Sequence, residues 1–64
     1  MSAQEEIVVE LRGIEERLRD LAYDSLRDAA GGDAAAAVTE KKLLQARRAV
    51  ERAIRALGGE PEEF

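Results

Sequence analysis

The sequence predicts an all-α protein, an antiparallel two-helix hairpin that dimerises into a four-helix bundle. Three observations carry that prediction. Apolar residues recur at steps of three and four in both halves of the chain. A single glycine pair, Gly31-Gly32, separates the two periodic stretches. The chain has only 64 residues and no cysteine, and below about 70–80 residues one core rarely supplies more than about 3–5 kcal/mol. Regular helix packing and oligomerisation are the stabilisers left to it.

The whole chain, residues 1–64, reads as one helical-hairpin domain. Ser2-Ala3-Gln4-Glu5 has the form of a capping box and opens a helix over about 3–30. Its apolar face is Ile7, Leu11, Ile14, Leu18 and Leu21. Ile7-Val8-Val9 is β-branched, but the helical phase runs through it unbroken. Residues 31–33 form the turn: Gly31-Gly32 supplies a left-handed C-terminal cap, and Asp33 is a good N-cap for the next helix. That helix covers about 34–57, starting with Ala34–Ala37 and carrying Leu43, Val50, Ile54 and Leu57 as its large apolar positions. Gly58-Gly59 stops it, and Pro61 forbids resumption. Residues 58–64 are an acidic tail, expected to be mobile.

A hairpin of such helices is about 35–40 Å long at 1.5 Å per residue. In a register where facing residue numbers sum to 64, Ile7 faces Leu57, Leu11 faces Ala53, Ile14 faces Val50, Leu18 faces Ala46 and Leu21 faces Leu43. Ser25 and Thr39 then form the last layer before the turn, two hydroxyls that fix register rather than a nucleophile. On the flanks Val8 meets Ile54, Glu15 meets Arg47, and Asp24 meets Lys42. Charge is divided in the same sense. Residues 3–30 hold eight acids and four bases, net −4, whereas residues 33–57 hold three acids and six bases, net +3. Antiparallel neighbours, within a chain or between two, gain from that division.

Apolar residues are left over once the seam is assigned. Val8, Ala22, Leu26 and Ala29 lie beside it on the first helix, with Leu44 and Ile54 on the same side of the second. They widen the apolar arc beyond the roughly 100° of a simple surface helix. Ala35, Ala49 and Ala56 make the other flank of helix two small. The leftover stripe is expected to meet a second copy, as isologous pairs commonly do. Another protein's helices in the groove, or a thickened edge of a lone hairpin, are the alternatives.

Composition excludes most chemistry. Without His or Cys there is no zinc site of the usual kind, no thiol nucleophile and no group with an unperturbed pKa near 7. No cofactor is expected. The acids at Glu5, Glu6, Glu10, Glu15, Glu16, Asp20, Asp24 and Asp28 read as surface charge, since a bundle-core metal site needs histidines that are absent. No acid–base or nucleophilic constellation can be assembled, so the protein is not expected to be an enzyme. No apolar run approaches a membrane span and no signal peptide opens the chain, which makes a cytoplasmic protein the expectation.

One charged pattern competes with a purely structural reading. Lys41, Arg48, Arg52 and Arg55, with Gln45 in line, form a stripe on helix two opposite the seam. It is spaced to track phosphates or an acidic partner. An ordinary solvated face with Glu51 neutralising Arg47 and Arg55 accounts for it as well. Tyr23, between Arg19 and Arg27, is an outward residue over which a guanidinium can stack. In length, central turn at Gly31-Gly32-Asp33 and short acidic tail, the chain resembles the small plasmid-encoded Rop-type hairpins. That resemblance is architectural and implies a dimer and an RNA-binding regulator. It transfers no residue. The expected function is therefore a small non-enzymatic interaction or oligomerisation module, with a Rop-like nucleic-acid regulator as the alternative.

Overall fold

The computed structural model describes residues 2–59, which form two helices and no strand. Helix α1 spans Ala3–Ala30 and α2 spans Ala34–Ala56. They lie antiparallel along each other, as a three-residue turn demands. The expectations for Glu60–Phe64, including the stop at Pro61 and the acidic tail, lie outside the described residues.

Each boundary has a local cause. At the start of α1 the Glu5 N–H donates to Ser2 Oγ at 3.1 Å, satisfying one first-turn donor. At its end Gly32 adopts φ +104°. There the Gly32 N–H donates to Ala29 O at 3.0 Å and the Asp33 N–H to Asp28 O at 3.2 Å. These two bonds are a Schellman cap, and its left-handed residue favours glycine. Asp33 then serves α2, its Oδ1 accepting from the Ala36 N–H at 3.2 Å. The same device closes α2. Leu57 is the C-cap, Gly58 has φ +88°, and the Gly58 and Gly59 N–H groups donate to Arg55 O and Ile54 O at 3.0 and 2.9 Å. Gln4 Nε2 donates to Leu57 O at 2.7 Å, which ties the open end of the hairpin shut.

The inner faces differ from the expected seam by a rotation of each helix. Among the described residues Ala36, Ile54 and Glu15 are buried, at 9%, 5% and 8% exposure. Half-buried around them are Val8, Leu11, Leu18, Ala22, Ser25 and Ala29 on α1, Glu40, Leu43, Arg47 and Val50 on α2, and its C-cap Leu57. These positions also advance in threes and fours, one heptad stripe over from the one chosen by hydrophobicity. Leu11, Leu18, Leu43, Val50 and Leu57 belong to both stripes. Ile7, Ile14 and Leu21, expected inside, are 47%, 45% and 53% exposed. Ala46 and Ala53 are half-buried at the edge of the contact. Val8, Ala22, Ala29 and Ile54, expected to face a partner, are part of the hairpin's own seam.

Two of the expected flank pairs form: Glu15 meets Arg47, and Val8 and Ile54 both border Gly59. With the helices rotated these pairs, whose numbers sum to 62, belong to the seam, and the Gln4–Leu57 pair sums to 61. Ser25 is half-buried but Thr39 is exposed, so the hydroxyl layer before the turn does not form. Asp24 pairs with Arg27 at 3.7 Å on the surface rather than with Lys42.

Candidate docking surface

The hairpin measures 45 × 22 × 14 Å, two helices wide and one helix thick. A domain ordinarily needs a second layer to bury an apolar face. At 100° per residue the two broad faces separate cleanly. One carries Ile7, Ile14 and Leu21 from α1 and Thr39, Ala46 and Ala53 from α2. The shared residues Leu11, Leu18, Leu43, Val50 and Leu57 form its floor. Those residues are uncharged, and Asp28, one heptad past Leu21, is the exposed acid that ends the α1 stripe at the turn.

The other face is closed by charge. Glu15 Oε2 accepts from Arg19 Nη2 at 2.7 Å, and Oε1 accepts from Arg47 Nε at 3.2 Å. Glu15 is thus held between a neighbour one turn away and a residue of the opposite helix. Arg12 and Glu51 are half-buried on the same side. Leu26 and Leu44, expected to belong to the docking stripe, lie on this charged face at 55% and 37% exposure. They do not join Val8, Ala22, Ala29 and Ile54, which the seam has taken.

The basic stripe sits where its spacing puts it. Lys41, Arg48, Arg52 and Arg55 are all exposed on the outer surface of α2. Among the described residues no ion pair joins Glu51 to Arg47 or Arg55. Tyr23, 65% exposed, is on α1 and so stands apart from the stripe. Among the described residues there is no group of three or more acids placed to hold a metal ion. No described helix is long and apolar enough to cross a membrane. A shallow groove at the open end, lined by Gln4, Glu5, Val8, Val9 and Leu57, brings together one carboxylate and no base.

Ile7, Ile14 and Leu21 exchange places with Val8, Ala22, Ala29 and Ile54 relative to the expected seam, because both stripes are apolar and evenly spaced. The available signal was Glu15 opposite Arg47. An ion pair at a flank fixes which side of the seam is polar, and hence which side is left apolar. Comparison with known proteins adds nothing to this geometry: no family model matches the chain, and neither a curated protein nor a solved structure matches it.

Proposed function

We propose that the protein is a non-enzymatic helix-packing module whose working surface is the open apolar face of the hairpin. The observation that carries this reading is the alignment of Ile7, Ile14 and Leu21, each about half exposed, on one side of a single-layer fold. Scattered surface leucines are ordinary, but a contiguous apolar face of this kind marks an interaction site. Full burial of one such side chain is worth about 1.5–3 kcal/mol, so covering the exposed half of these three recovers roughly 2–4 kcal/mol per hairpin. For a hairpin whose buried apolar residues, among those described, are Ala36 and Ile54, that gain is comparable with the stability one small core supplies.

The test is assembly mass by sedimentation equilibrium on the full chain, read beside thermal melting at several concentrations. Ile14→Glu puts a charge in the middle of the face and is expected to reduce the assembly to 7.0 kDa chains. Ile14→Ala should weaken it in the same direction. Leu26→Glu, on the charged face, should leave it intact. Unchanged mass and melting in Ile14→Glu would refute the proposal.

A further inference from the structure

We infer that the layer covering this face is a second copy of the chain, laid so that α1 of each protomer rests on α2 of the other with both turns at the same end. The inference rests on the reading that the open face docks another helical layer, and adds what that layer is and how it lies.

The size of the face is the first argument. It is 22 Å wide, and α2 with 23 residues runs about 34 Å at 1.5 Å per residue. The product is about 750 Å², close to the roughly 800 Å² each partner contributes to a standard stable interface. A hairpin of the same dimensions covers it without remainder.

Register and side-chain size decide the arrangement. With facing numbers at 61–62, Ile7, Ile14 and Leu21 stand at nearly the same heights as Ala53, Ala46 and Thr39. The α1 side of the face is therefore built of large residues and the α2 side of small ones, level by level. Two copies can meet face to face about two kinds of two-fold axis. An axis parallel to the helices keeps every height and exchanges the sides. Ile7 then arrives over Ala53 of the partner subunit, Ile14 over the partner's Ala46 and Leu21 over the partner's Thr39, large on small throughout. An axis across the helices sets isoleucine on isoleucine along one edge and alanine on alanine along the other, so the layers would splay.

Charge selects the same solution independently. The parallel axis lays the α1 stretch, net −4, beside the partner's α2 stretch, net +3, whereas the crossed axis pairs each stretch with its like. Complementary potentials of this kind fix register and disfavour the wrong pairing.

Spin-label distances test the arrangement. The chain contains no cysteine, so Ala30→Cys at the exposed end of α1 and Glu6→Cys in its exposed first turn each give one label per protomer. Both like pairs should read about 20–30 Å, and a mixed dimer with one label of each kind about 40 Å or more, the length of α1. Long like-pair distances with a short mixed distance would overturn the arrangement. If that dimer were still dissolved by Ile14→Glu, the docking face itself would stand. A wild-type mass of 7.0 kDa at all concentrations would overturn the second copy. A dimer that persists in Ile14→Glu would overturn the docking face instead.

Discussion

Replacing Glu15 with leucine is expected to leave the hairpin as stable as before or to stabilise it, although it removes the best-made ion pairs in the seam. Glu15 is 8% exposed and is the buried charged residue among those described. Its two partners are not equally buried, since the Arg47 side chain is 25% exposed and that of Arg19 40%. Hydrogen bonds to a charged group contribute about 1.5–3 kcal/mol. Half-solvated arginines deliver the lower part of that range. Against this stands the cost of desolvating the carboxylate, which for buried pairs often equals or exceeds the attraction. Leucine at the same position buries apolar surface worth about 1.5–3 kcal/mol, and both arginines are near enough to the surface to turn to water. The expected net is zero to about 2 kcal/mol of stabilisation, a rise of up to roughly 15 °C in Tm for a domain this small. Arg47→Ala on its own should cost about 1.5–3 kcal/mol, because it strands one carboxylate oxygen. In the Glu15→Leu background the same change should cost little. Urea unfolding of the four proteins at one fixed protomer concentration closes the cycle. A loss of about 2 kcal/mol or more in Glu15→Leu would show that attraction outweighs desolvation here, and the reasoning would fall.

Three further outcomes follow from the same geometry. Gly13 is an exposed mid-helix glycine, and a Cβ built there meets nothing within 4 Å, so Gly13→Ala should raise stability by about 0.5–1 kcal/mol in thermal melting. Gly59 is the converse, since a Cβ there would lie 2.6 Å from Ile54 Cγ2 and 3.0 Å from Val8 Cγ1. Gly59→Ala should therefore lower the melting temperature by an amount matching about 1–3 kcal/mol of overpacking; an unchanged melt would show that the open end is looser than its contacts imply. For the basic stripe, titration of structured RNA at about 50 mM salt is expected to show no binding, given a net charge of −4. Binding that weakens steeply with salt and fails in an Arg48→Glu, Arg52→Glu double variant would instead make the stripe a nucleic-acid surface.

The helices and their ends were legible because caps are local. Ser2, Gly32, Asp33 and Gly58 act through hydrogen bonds within a few residues of themselves, so their identity is enough to place a boundary. The choice of inner face is a different kind of fact. Hydrophobicity ranks Ile7, Ile14 and Leu21 above Val8, Glu15 and Ala22, and a reading based on it alone sends the richer stripe inward. Packing between two helices also rewards small residues, which let the backbones approach. Ala22, Ala29 and Ala36 occupy such positions in the half of the hairpin nearest the turn. The register could be read to within about two residues, and the contact of Glu15 with Arg47 was visible from charge and spacing. The rotation that turns Ile7, Ile14 and Leu21 outward was not.

The proposed second layer accounts for the richer stripe facing out, because one apolar arc would then serve two neighbours. In a bundle each helix touches one helix within its own layer and another across the core. Residues at the centre of the arc, such as Leu11, Leu18, Leu43 and Val50, contribute to both contacts. Under the proposed docking the two flanks of the arc differ, because a further layer would cover only one of them. On one flank Glu15, Arg19 and Arg47 close the seam with ion pairs whose guanidinium groups keep access to water. Covering that side would desolvate three charges, a cost of several kcal/mol for each ion left imperfectly paired. On the other flank Ile7, Ile14 and Leu21 present surface that gains from being covered. The distribution of charge around the hairpin therefore does what its small core cannot. It leaves a single direction from which a second layer is stabilising, and that direction is the open face.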